Sequence, residues 1–132
     1  MNPDVEFLDL DDVLDLMRRL LGDPPPIQDI GLLGSAVARP QTAVFGQDAY
    51  PDIWSKAAAL LQSIVNNHAL IDGNKRLGWL ATAVFLEING VGVIHVSNDD
   101  IYQFVIDVAA NNPSFEHIAA ALRALVTGAS RD

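Results

Sequence analysis

Nine consecutive residues, His68-Ala69-Leu70-Ile71-Asp72-Gly73-Asn74-Lys75-Arg76, gather the side chains that phosphate chemistry uses. Gly73 and Asn74 fall where a loop enters a predicted helix. The first N–H groups of a helix have no acceptor inside it, and its dipole is positive at that end, so this is an anion site. Gly73 lets a phosphate come close to the backbone. Lys75 and Arg76 bring the charge a polyphosphate needs. Cations in a first turn are electrostatically misplaced unless an anion is present. Asp72 puts a carboxylate beside the same site, which is unfavourable unless a divalent cation such as Mg²⁺ bridges it to phosphate. His68, at the end of the preceding helix, is the residue type suited to a general base near neutral pH. Its spacing of four from Ile64 predicts that it faces the interior side of the loop.

Taken singly, each residue has a plainer reading. His68 could be a polar helix end, Asp72 an N-cap, Gly73-Asn74 a turn, and Lys75 with Arg76 a solvated first turn. Their convergence favours an anion-binding helix start. It is not a P-loop, because the paired glycines and the Lys-Ser/Thr ending are missing.

The elements around this segment read as helices. Leu10, Val13, Leu14, Met17, Leu20 and Leu21 form a stripe at helix spacing, with Asp9 as N-cap and Gly22 as stop. Pro24, Pro25 and Pro26 break the chain. Asp29 caps a short second helix, which ends near Arg39 because Pro40 follows. Pro40 to Pro51 reads as an exposed loop or small hairpin. Asp52 caps a third helix, whose residues Ile53, Ala57, Leu60, Leu61, Ile64 and Val65, widened by Trp54 and Ala58, make it central. A fourth helix starts at Asp72 or Gly73 and ends at Asn89-Gly90. Val91 to Val96 is strand-like without an evident partner. Ser97 with Asp100 resembles a capping box and opens a fifth helix bearing Ile101, Phe104, Val105 and Val108. Ser114 caps a sixth, which Gly128 stops, and 129–132 reads as a frayed tail. The expected architecture is all-α, about six helices in a single domain over 1–132.

Composition narrows the function. Half of the 132 residues are hydrophobic, enough for a core without staples. The absence of cysteine excludes disulfides and thiolate metal sites, and fits a reducing compartment. A formal net charge of −9 disfavours direct nucleic-acid binding. Asp4, Glu6, Asp9, Asp11 and Asp12 stand where a secretory leader would be basic, and no apolar run is long enough for a bilayer. A cytoplasmic protein without a membrane is expected.

HALIDGNKR resembles the active-site motif of the Fic/Doc family, H-x-F-x-(D/E)-G-N-x-R, at His68, Asp72, Gly73, Asn74 and Arg76. Lys75 is similar to the Doc branch, the death-on-curing toxins. The resemblance extends over roughly Asp29 to Val96, through GLLGSAVARPQTAVFG, AYPDIWSKAAALLQSIVNNH and FLEING. Leu70 stands in place of the motif's Phe. Trp79 stands where adenylyl-transferring relatives carry a second Arg.

The resemblance implies a Fic-fold bundle with a flap before the central helix, and phosphoryl transfer from ATP to a protein hydroxyl. His68 would take the hydroxyl proton and Asp72 would help hold Mg²⁺. Gly73 and Asn74, by backbone and Asn74 side chain, would cradle the phosphate, and Lys75 and Arg76 would neutralise its charge. Arg39, Thr42 and Phe45 are flap candidates for aligning the target, which for Doc toxins is elongation factor Tu. No (S/T)-x-x-x-E-(G/N) inhibitory motif is present, so restraint would come from the C-terminal segment of a Phd-like antitoxin. Two other readings stay open: Fic-type AMP transfer, and a helical module that binds a nucleotide without turnover.

Overall fold

The computed structural model describes residues 5–128. Helices begin where local capping chemistry allows. Asp9, Asp29, Asp52, Ser97 and Ser114 each accept a hydrogen bond from the backbone N–H three residues on. They open α1 (Leu10–Leu21), α2 (Ile30–Ala38), α3 (Ile53–Asn67), α5 (Asn98–Asn111) and α6 (Phe115–Thr127). At α1 and α3 the bond is reciprocated, by Asp12 and by Ser55. At α5 Ser97 accepts from the Asp100 N–H, and the reciprocal bond of a capping box is not formed. The remaining helix, α4 (Asn74–Ile88), is the exception: its N-cap is Gly73 and no side chain caps it.

The α3 helix is the axis of the bundle. Every residue from Ser55 to Leu61 is buried, and so are Ser63, Ile64 and Val65. It packs against α4 and α6 most extensively, and also against α2 and α5. One core cluster joins Val13 and Met17 of α1, Leu33 of α2, Leu60 and Ile64 of α3, and Leu77 and Phe85 of α4. A second joins Leu61 and Val65 of α3 to Val105, Val108 and Ile118. Gly78 lets α4 press onto α3, since a Cβ there would lie 2.7 Å from Val65 Cγ2 and 3.3 Å from Leu61 Cδ1. This close approach brings the C-terminal end of α3 and the N-terminal end of α4 to one place.

Between α2 and α3 the chain makes a 3₁₀ turn, Arg39–Gln41, and a small hairpin of β1 (Ala43–Val44) and β2 (Gln47–Asp48). The register pairs Val44 with Gln47. Phe45 and Gly46 form the two-residue turn, both at positive φ, 52° and 77°, the handedness that matches strand twist. Phe45 is fully exposed at the tip.

One expected strand is absent. Val91 to Val96 is an irregular turn, without a ladder. The Val91 N–H returns to Leu86 C=O and the Val93 N–H to Glu87 Oε2, 2.9 Å. Val93 is buried while Ile94 is exposed. The apolar run therefore closes the α4–α5 connection, its backbone satisfied by the end of α4. The tail after Gly128 lies outside the described residues.

Candidate active site

The α3 helix ends at Asn67, and His68 follows in the left-handed conformation, φ 55° and ψ 42°. One residue in that conformation turns the chain out of helical register. The next two side chains, Ala69 and Leu70, enter the core at 2% exposure each, and His68 is exposed. The expectation that His68 continues the inward face of Ile64 is thus corrected: the imidazole faces an open cavity.

The loop behind it is held by backbone from the segment after the prolines. Gln28 and Asp29 donate their N–H groups to Ala69 C=O, 2.8 and 2.9 Å, and Ile71 N–H donates to Pro26 C=O, 2.9 Å. Leu70, in the place of the motif's Phe, anchors the loop in the core. Its own backbone is satisfied by one side chain: Asn74 Oδ1 accepts the Leu70 N–H and Asn74 Nδ2 donates to the Leu70 C=O, both at 3.1 Å. The expected role of the Asn74 side chain in cradling phosphate is therefore at odds with its position. The side chain clamps the loop, and the backbone N–H of Asn74 is free for a ligand.

Gly73 adopts φ +91°, and a Cβ there would meet the Leu21 methyls at 2.8 Å. Glycine is required by conformation and by the end of α1, as well as by any close ligand. Asp72 Oδ1 accepts the Gly73 N–H, 2.9 Å. It is not the N-cap of α4. The N–H groups of Asn74, Lys75 and Arg76 meet no acceptor among the described residues, and the first α4 bond runs from Leu77 N–H to Gly73 C=O. Lys75 and Arg76 are exposed and form no ion pair among the described residues, whose pairs are Arg19–Asp15 and Lys56–Asp48.

His68, Asp72, Gly73, Asn74, Lys75 and Arg76 all line one cavity of about 430 Å³, closed by Val65 and Asn66 of α3, Ile71, and Ala109 of α5. Three donors of a helix start, two unpaired cations, a carboxylate and an imidazole thus share one space, the arrangement that binds an anion beside a base. No group of three or more His, Cys, Asp or Glu that could hold a metal occurs among the described residues. A single carboxylate fits Mg²⁺ held jointly by phosphate oxygens and water, not an all-protein cage. A second, apolar cavity of about 400 Å³ adjoins the first at Lys75 and Arg76 and runs along Leu20, Trp79, Ile101 and Tyr102.

The flap candidates separate. Thr42 is exposed, with Oγ1 bonded to Arg39 C=O at 2.7 Å, and Phe45 stands free at the tip. Arg39 is committed inward: Nε donates to Tyr50 Oη at 2.7 Å and NH1 to Gln62 Oε1 and Ser63 Oγ at 2.8 and 2.9 Å. It ties the hairpin base to α3. Sequence reasoning missed Ala109, which only helix packing brings to the cavity, and Asn66, whose Nδ2 bonds Asn112 Oδ1 at 3.2 Å. Neither residue type marks itself as functional.

Residues 7–86 match the Fic/DOC family profile. The chain is also similar to Toxin Doc of Mycolicibacterium smegmatis (strain ATCC 700084 / mc(2)155), with 46% identity over 125 residues, 94% of this chain and 96% of that protein.

Proposed function

The chain belongs to the Fic/DOC family, and from that premise we propose that it is a Doc-like toxin that transfers the γ-phosphoryl group of ATP to a hydroxyl side chain of a target protein. The observation that carries this reading is the shared cavity of His68, Asp72, Lys75 and Arg76 over the free N–H groups of α4.

In the proposed step His68 accepts the proton of the acceptor hydroxyl, whose oxygen attacks the γ-phosphorus. The bond from that phosphorus to the β–γ bridging oxygen breaks, and ADP leaves. The N–H groups of Asn74, Lys75 and Arg76, with the Lys75 ammonium and Arg76 guanidinium, neutralise charge on the group in transfer. Asp72 has one oxygen on Gly73 N–H and the other without a donor among the described residues, which suits shared coordination of Mg²⁺. When bound, that ion would lower the charge of the phosphate oxygens. Trp79 adds no cation to Lys75 and Arg76 at the junction of the two cavities, and the rest of the apolar cavity, with Leu20, Ile101 and Tyr102, suits a nucleoside. A nucleotide lying across the two cavities then presents its phosphates to His68.

Thr42 and Phe45 would meet the target segment at the flap, with elongation factor Tu as the proposed target and arrested translation in the cytoplasm as the outcome. A cognate antitoxin would restrain the toxin, its C-terminal segment folding into a groove near the flap and the His68 loop. Among the described residues no helix is long and apolar enough to cross a membrane. Co-expression with the neighbouring small open reading frame should restore growth and yield a stable complex; a chain that is harmless alone and binds no such product would overturn the toxin reading.

Asp72→Asn tests the metal. Asn retains an acceptor for the Gly73 N–H but loses the charge, so the melting temperature should hold. Transfer should fall on the order of a hundredfold. A large fall in melting temperature with normal turnover, measured by thermal melts and ADP release, would make Asp72 a structural residue only.

A further inference from the structure

Lys56 sits in the middle of α3 with 2% of its surface exposed, and nothing in the transfer step uses it. Its Nζ reaches Asp48 Oδ2 of β2 at 3.2 Å and the Tyr50 carbonyl just beyond the hairpin. It also lies 6.0 Å from the centre of the Phe7 ring. A buried ammonium is retained only where its partners are fixed, and both hydrogen-bonding partners belong to the hairpin and its exit. Arg39 makes a second tie, from Tyr50 Oη to Gln62 and Ser63 of α3.

Between these ties the hairpin has little of its own. Each strand is two residues long, and all four strand residues are exposed. A two-stranded hairpin of that size does not hold itself in water. The groove at its base is lined by Arg39, Thr42, Ser63 and Asn67, and Asn67 is the residue before His68. The hairpin is therefore held against α3, the helix that His68 follows, by contacts made from within α3.

We propose that Lys56 is a positioning residue: through its bonds to Asp48 and the Tyr50 carbonyl, it fixes the hairpin beside the groove of Arg39, Thr42, Ser63 and Asn67, and so sets the affinity for the protein acceptor while leaving the nucleotide site alone. The consequence for affinity rests on the proposed transfer reaction; the fixing of the hairpin does not.

The test uses Lys56→Met, which keeps length and volume and removes the charge, and Asp48→Ala, which cuts the same tie from the half-exposed side without touching α3. Amide hydrogen exchange is read at Ala49, whose N–H donates to Thr42 C=O at 2.9 Å, and KM and kcat are read for the protein acceptor beside nucleotide affinity. In both variants, exchange at Ala49 should quicken at least about tenfold. KM for the acceptor should rise about tenfold, with kcat and nucleotide affinity within about twofold. Unchanged exchange and KM in folded variants would overturn the proposal, and so would a parallel loss of nucleotide affinity, which would mean a general loosening of the bundle. Should the unaltered protein transfer nothing, the reaction reading fails, and the exchange at Ala49 alone decides whether Lys56 fixes the hairpin.

Discussion

Replacing His68 with Ala should lower transfer by roughly a thousandfold, the contribution expected of a positioned general base, while nucleotide affinity changes little. The proposed donors for phosphate are the N–H groups of Asn74, Lys75 and Arg76 and the two side-chain cations, and none of them is bonded to the imidazole. The imidazole is exposed, and the polar contact at this residue is through its carbonyl, which accepts from Gln28 Nε2 at 3.4 Å. The stability cost is confined to the left-handed backbone at φ 55°, where His, Asn and Asp are found more readily than Ala. His68→Asn is the paired variant: it tolerates that conformation, removes the base, and should be equally inactive. The measurement is ADP release and phosphoryl incorporation beside a nucleotide titration. Full activity in a clean preparation of either variant would remove His68 from the step.

Asn74→Ala should be the most damaging single change to the site's framework. Leu70 is 2% exposed, and its N–H and C=O are both paired with the Asn74 amide. Alanine leaves a buried donor and a buried acceptor unmet, a loss of roughly 2–3 kcal/mol. In a chain of this size that corresponds to a fall of about 10 °C in melting temperature. Asn74→Asp separates framework from charge. It keeps the acceptor for the Leu70 N–H, sets a carboxylate oxygen against the Leu70 C=O, and places a negative charge at the start of α4. Its nucleotide affinity should fall by at least about tenfold, one unfavourable charge contact in a helix-start anion site. Thermal melts and nucleotide titration of the two variants decide. A melting temperature unmoved in Asn74→Ala, with binding lost, would instead make the side chain a direct phosphate ligand.

Helix starts were legible because capping is local: Asp9, Asp29, Asp52, Ser97 and Ser114 each act on a backbone N–H within the same turn. Six helices follow from those starts and from the apolar stripes between them, whereas the Fic fold was legible only through the resemblance carried by HALIDGNKR and its flanks. The motif's residues were also legible, and one cavity does contain His68, Asp72, Gly73, Asn74, Lys75 and Arg76. What spacing could not convey was direction. A single left-handed residue turns His68 outward against the periodicity of α3. Asn74 turns back onto Leu70 because the loop's buried backbone has no nearer partner. Arg39 turns inward because Tyr50, Gln62 and Ser63 surround it, and those contacts span up to 24 positions. Lys56 was passed over on an apolar helix, since only the folded hairpin supplies its carboxylate. Val91 to Val96 has strand composition, but a strand needs a partner, and the end of α4 satisfies this segment first.

The intact mass of elongation factor Tu after incubation with this protein, ATP and Mg²⁺ tests phosphoryl transfer most directly. The expected result is a gain of one phosphoryl group on the factor with ADP released in equal amount, and neither change with His68→Ala. An adduct the size of AMP with release of pyrophosphate, or an unmodified factor beside intact ATP, would contradict it.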